Sequence, residues 1–173
     1  NLQVPQLTDG AFVPKRMGAH HKLLTPCGVF NAPDGYIVIL CTQGQWANLC
    51  AAMQMPQLEA DCRFKEPEAR VKNQDELIKI IEGWMNEMAD NEEILERLEA
   101  NRVPSSPVLS PTDALTHPYF LDRGTIRLTT DRILGELKLP GFPLRFSGQA
   151  IYDPGDAPFL GEHNAEILIG ILD

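Results

Sequence analysis

Four cysteines and four histidines are the side chains best suited to hold a metal or to attack a substrate, and their spacing argues against both roles. Cys27, Cys41, Cys50 and Cys62 never stand two residues apart, as a zinc knuckle or a dithiol redox pair requires. Cys41 and Cys50 lie inside apolar patterns, so buried free thiols in a reducing compartment are expected. His20, His21, His117 and His163 form no ligand motif, and no metal site is expected. Near the end, Asp153 to Ala157 followed by Glu162-His163 sets acids beside an imidazole. The same residues fit a loop entering a helix N-terminus, where Glu162 would favour the helix dipole, and that structural account is preferred.

The charge balance narrows the partners. Fifteen Lys and Arg stand against 24 Asp and Glu over 173 residues, a formal net charge of −9. Nucleic acid and anionic membrane surfaces need a basic stripe, so neither is an expected partner. The longest apolar run, Tyr36 to Cys41, is strand-length and well short of the roughly 18 to 20 residues that span a bilayer. Asn1-Leu2-Gln3-Val4-Pro5 lacks an initiator Met and a secretion-signal layout, which suggests an interior segment of a longer chain.

The elements that would position such residues follow from breakers and periodicity. Pro5, Pro14, Pro26 and Pro33 with Gly10, Gly18 and Gly28 predict extended linker and loop over residues 1–33. Pro33-Asp34-Gly35 is a turn signature leading into Tyr36 to Thr42, a strand apolar on both alternations and so expected to be buried on both sides. Trp46, Leu49, Cys50 and Met53 then recur at helical spacing. Asn73 with Glu76 predicts a capped helix whose core face is Leu77, Ile80, Ile81, Trp84, Met85 and Met88. Asp90 with Glu93 repeats the signature for a helix carrying Ile94, Leu95 and Leu98, and the two make a helical hairpin.

The prolines from Pro104 to Pro111 permit an edge strand or connector, and Pro111 opens a short helix. Thr125 to Thr130 alternates as a half-exposed strand, Leu144 to Phe146 is a candidate short strand, and Glu162 to Leu172 is a terminal helix. Helices segregated from a few short strands give an α+β class, without the alternating units or Gly-rich turn of a nucleotide-binding half.

Five stretches in order carry a family resemblance: Pro26-x-Gly28-x-Phe30-x-x-x-Asp34-Gly35; Gln45-Trp46; Asp61-x-Arg63-Phe64 with Arg70 and Asn73; Val103-Pro104-Ser105-Ser106-Pro107-Val108; and Ala157-Pro158-x-Leu160-Gly161-Glu162-His163. Together they resemble the C-terminal part of the family III CoA-transferases, which includes formyl-CoA and carnitinyl-CoA transferases and the α-methylacyl-CoA racemases. The resemblance implies a protein of about twice this length. It implies a linker over residues 1–33 from a Rossmann-like large domain, a small α+β domain over 34–130 with a short, mainly antiparallel sheet, and a return segment with a terminal helix over 131–173.

Its implied chemistry is transfer of coenzyme A, a substrate and not a bound cofactor, from an acyl-CoA thioester to a carboxylic acid. An Asp nucleophile upstream of this chain would do the work, so no catalytic residue is nominated here and the fragment is expected to be inactive. The resemblance also implies a cytoplasmic, interlocked homodimer. A carboxylate nucleophile must be shielded from water, and formyl-CoA members place a Gly-rich loop over the site. The matching stretch, Met17-Gly18-Ala19-His20-His21, has one glycine. Gly18, His20 and His21 are its substrate-adjacent candidates, the alternative being two solvent-exposed loop histidines. Arg123 and Arg127 are either contacts to a CoA phosphate or surface charges.

Two rivals stand beside this reading. A racemase would carry a carboxylate just after the Tyr36 strand; Gln43 stands there, and an amide carries no proton. The other is a non-catalytic assembly module on the same scaffold.

Overall fold

In the hairpin formed by β1 (Cys27–Ala32) and β2 (Gly35–Leu40), each partner pair sends its side chains to one face, and only one face is covered. This computed structural model describes residues 7–11, 13, 16–144, 146–148 and 155–170. The chain divides into two compact units, one through Val108 and one from Leu109.

In the first unit β3 (Ser105–Pro107) pairs antiparallel with β2, giving a sheet of order β1-β2-β3. Five helices follow β2: α1 (Trp46–Ala52), α2 (Gln57–Ala60), α3 (Pro67–Lys72), α4 (Gln74–Met85) and α5 (Asn91–Ala100). Phe30, Ile37 and Ile39 point into a core completed by Leu49, Phe64, Leu77, Ile81, Met85, Ile94 and Leu98, all fully buried. Two expectations change here. Cys27–Ala32 is a strand and not loop, because Gly28 and Phe30 suit a hairpin once the Asp34-Gly35 turn brings β2 alongside. The Tyr36 strand is central yet buried on one face only: Ile37 and Ile39 face the helices, while Tyr36 is 52% exposed and Leu40 42%.

Asp90 caps α5 as its sequence predicts, accepting from the Glu93 N–H at 2.9 Å. Asn73 does not cap α4 with its side chain. Its Nδ2 donates instead to the carbonyls of Arg63 and Ala69, each at 3.0 Å, so it closes α3 while Glu76 pairs with Arg63. Nor do α4 and α5 act mainly as a hairpin packed on itself, since α4 lies against β1 and α5 against β3. Asp34 joins the sheet to α5: its Oδ2 accepts from the Asn91 N–H at 3.1 Å.

The second unit holds α6 (Pro111–Thr116), α7 (Pro118–Asp122), the antiparallel pair β4 (Ile126–Asp131) and β5 (Gly135–Pro140), and α8 (Asn164–Gly170). Ser110 and Asp113 form a reciprocal capping box for α6. Strand β5 goes unread in the sequence because Pro140, Gly141 and Pro143 look like breakers, yet the hairpin turn has its own anchor. Asp131 Oδ1 accepts from the N–H groups of Ile133 and Leu134, both at 2.8 Å. Leu144 and Phe146 lie in no strand. The architecture is α+β throughout, with short antiparallel sheets.

Truncating Leu77 to Ala should cost the first unit about 2–5 kcal/mol through lost burial and a residual cavity. The same change at Leu23, 69% exposed in the same unit, should stay within about 0.5 kcal/mol, both read from urea denaturation followed by Trp fluorescence.

Candidate functional site

The most constrained polar group is Arg70, at 2% exposure the largest fully buried side chain. Its Nε donates to the Thr25 carbonyl at 3.0 Å and its Nη1 to those of Phe64 (2.7 Å) and Lys65 (3.1 Å). Its Nη2 donates to Gln43 Oε1, and the guanidinium stacks 4.8 Å from the Trp46 ring centroid. Among the described residues no carboxylate pairs with it. Burial lowers its pKa, yet a guanidinium stays charged, so the carbonyl dipoles and ring must replace its water. The segment before β1, the turn after β2 and the start of α3 are thereby tied to one cation. Gln74 adds a second tie, its Nε2 donating at 2.7 Å to both Thr25 Oγ1 and the His21 carbonyl.

The strip bearing Gly18, His20 and His21 lies along β1. The Val29 N–H donates to the Ala19 carbonyl at 3.0 Å, the His21 N–H donates to that of Cys27 at 2.8 Å, and His20 forms a bridge with Gly28. Gly28 is required by this approach: a Cβ there would stand 2.5 Å from the Ala19 oxygen. The His20 ring meets Phe30 edge-on at 4.8 Å, and burial lowers its pKa against the opposing pull of Glu82. The imidazole is therefore neutral at neutral pH. His21 is exposed, its Nδ1 accepting from the Leu23 N–H at 3.1 Å, and Gly18 takes a positive φ of 75°.

The acids and histidine near the end are arranged differently from either sequence account. Asp153 lies outside the described residues. Glu162 receives a bidentate pair from Arg132 (2.6 and 3.0 Å) and the Phe159 N–H (2.7 Å). The Arg132 pair and that N–H hold its pKa at about 2. It is committed to the β4–β5 turn and not to the α8 dipole, while His163 pairs with Glu166 at 3.2 Å. Arg123 donates to Tyr119 Oη at 2.9 Å on its own helix, and Arg127 lines a groove of about 320 Å³ with Thr129, Leu137, Leu139 and Asp156.

All four thiols are free, with Cys41 and Cys50 buried, Cys27 half-buried and Cys62 exposed. Burial pushes Cys41 and Cys50 up to about 12, which removes them as nucleophiles. Among the described residues no three His, Cys, Asp or Glu side chains converge as a metal site.

The sequence model described as CoA-transferase family III matches residues 2–164. The chain belongs to that family. It is 34% identical over 157 residues to the succinyl-CoA:mesaconate CoA-transferase of Haloarcula hispanica, covering 90% of this chain and 39% of that protein. It is 29% identical over 159 residues to the succinyl-CoA:glutarate CoA-transferase of Mus musculus, covering 91% and 36%. Among solved structures, a CAIB/BAIF family protein from Brucella suis superposes with a TM-score of 0.77 at 28% identity, covering 99% of this chain and 44% of that one. The chain thus spans about two-fifths of these relatives' lengths.

The stretches that resemble the family serve the scaffold in this fold. Gly28 admits the Ala19–His21 strip, Phe30 and Phe64 fill the core, Asp34 binds α5, and Arg70 and Asn73 hold α3. Two partners escaped the sequence: Gln43 under Arg70, for which no spacing signal exists, and Arg132. The Asp131-to-Gly135 turn between alternating segments could have revealed the latter.

Arg70→Ala should destabilise the first unit by about 3–5 kcal/mol, since four acceptors lose their donor, with Arg70→Lys intermediate, measured by urea denaturation. Keeping Cys41 and Cys50 neutral contributes stability that is complete below their ordinary pKa of 9.0 and is lost as pH rises toward about 12. Melting temperature should therefore fall above pH 9.0, less steeply in a Cys41→Ala variant, and a thiol reagent at pH 7 should label Cys62 first and neither buried thiol.

Proposed function

We propose that this chain is the small-domain and return portion of a family III CoA-transferase that moves CoA from an acyl-CoA thioester to a carboxylic acid. The observation that carries the reading is the family match over residues 2–164. The nucleophile is an Asp in polypeptide preceding this chain, and the 173-residue chain alone is inactive. The division into a linker over 1–33, a small domain over 34–130 and a return segment over 131–173 belongs to the same reading. So do a cytoplasmic homodimer and a substrate-facing strip at Gly18, His20 and His21. The strip's His20, whose pKa burial lowers, suits hydrogen bonding to an acceptor carboxylate better than ion pairing with it, and His21 stands exposed beside it. Succinyl-CoA as donor and a dicarboxylic acid as acceptor follow from relatives whose names specify mesaconate and glutarate.

Transfer is favoured over racemisation by a specific contact. Gln43, in the stretch where a racemase would hold its acid, is an amide that carries no proton, and its Oε1 is occupied by the Arg70 guanidinium. In the non-catalytic alternative, the upstream polypeptide lacks its Asp.

The test uses the longer protein containing this chain, incubated with succinyl-CoA and mesaconate or glutarate, beside the 173-residue chain. The longer protein should yield the acceptor's CoA thioester only when acceptor is present, and the short chain should yield none. Turnover or covalent acylation of the short chain overturns the reading. So does exchange of the α-proton of a 2-methylacyl-CoA by the longer protein without any acceptor.

A further inference from the structure

One buried amide ties the strip before β1 to α4, and in doing so it holds a cation in place. Gln74, the first residue of α4 and 6% exposed, donates from Nε2 to the Thr25 hydroxyl and to the His21 carbonyl, both at 2.7 Å. An amide nitrogen only donates, so Oε1 is the acceptor that Gln74 has left, and Lys22 Nζ donates to it at 3.3 Å. The ammonium is thereby anchored on a buried group, with two of its three N–H donors still open. Lys22 is exposed, and among the described residues no carboxylate pairs with it. Its charge is also felt at His20. Burial is the main cause that lowers the pKa of that imidazole; Glu82 opposes it, Lys22 adds to it, and Asp75 opposes it again. Glu82 is committed to the sheet, its Oε1 accepting from the Asn31 N–H at 2.9 Å and from Asn31 Nδ2 at 2.6 Å.

We infer that Lys22 sets acceptor specificity, its ammonium binding the distal carboxylate of a dicarboxylic acid whose other carboxylate meets the imidazoles of the same strip. This rests on the reading of that strip as substrate-facing. The two carboxylates of such an acid need different partners. The reacting one loses its charge when it becomes an acyl group, so a fixed cation beside it would stabilise the ground state more than the transition state. An imidazole whose pKa burial lowers is a better partner there. The distal carboxylate keeps its charge from binding to release, and a permanent cation holds it equally well at every stage. Such uniform binding lowers KM and leaves kcat where it was. Gln74 suits the arrangement because it positions the ammonium without neutralising it, as a carboxylate in its place would.

The longer protein and its Lys22→Met and Lys22→Arg variants are assayed with succinyl-CoA as donor. The acceptor is either glutarate or valerate, the same five-carbon chain with one carboxylate. Lys22→Met should lower the glutarate-to-valerate ratio of kcat/KM about tenfold or more, through a higher KM for glutarate. Lys22→Arg keeps the charge and should hold the ratio within about threefold. A side chain that only braces the strip would affect both acceptors alike, so an unchanged ratio in Lys22→Met overturns the inference. Calorimetric titration of glutarate into the same proteins separates this from the reading beneath it. Binding about tenfold weaker in Lys22→Met, in a protein that transfers no CoA, defeats the functional reading and leaves the carboxylate site standing. CoA transfer with an unchanged ratio does the reverse, and the absence of both transfer and Lys22-dependent binding defeats both.

Discussion

A charged guanidinium held away from water, with carbonyl oxygens and a tryptophan face in place of a carboxylate, is the constraint on which the first unit depends. Desolvating such a group costs several kcal/mol unless its donors are satisfied. Three segments distant in sequence meet that demand: Thr25 before β1, Gln43 to Trp46 after β2, and Phe64-Lys65 before α3. No two of them need adopt their positions for local reasons. The cation makes their arrangement mutual, so the entry to the sheet, its exit and the first helices form one body.

That mutual arrangement explains which parts of the fold were legible in the sequence. Elements decided by local chemistry were readable: the Asp34-Gly35 turn, the Asp90 cap, the Pro111 start of α6, and the helical stripe at Leu77, Ile81, Trp84 and Met85. Elements decided by a distant partner were not. Cys27–Ala32 has a loop's composition and becomes a strand because β2 supplies its ladder and the Ala19–His21 strip fits against Gly28. Asn73 carries a capping signature, but a nearer use for its amide, the carbonyls at the end of α3, wins. Glu162 was readable as an acid before a helix, and its partner proved to be an arginine thirty residues away in sequence. Of the candidate site, Gly18, His20 and His21 were found as residues, while the lowered pKa of His20 depends on its burial, which no spacing encodes.

The two units solve the stability problem differently. The first closes a core of fully buried aliphatic and aromatic side chains beneath one face of its sheet. The second has ladders, caps and ion pairs but nothing buried among its described residues. Hydrogen bonds and exposed ion pairs contribute little net stability in water, because the unfolded chain makes equivalent bonds to solvent.

Such a division suits the chemistry proposed for the whole protein. A carboxylate attacking a thioester forms an anhydride that water would destroy, so the reaction needs a roof that is rigid and a chain that closes behind it. In the first unit the polar knot around Arg70 binds Gln43, and burial keeps the thiols of Cys41 and Cys50 protonated.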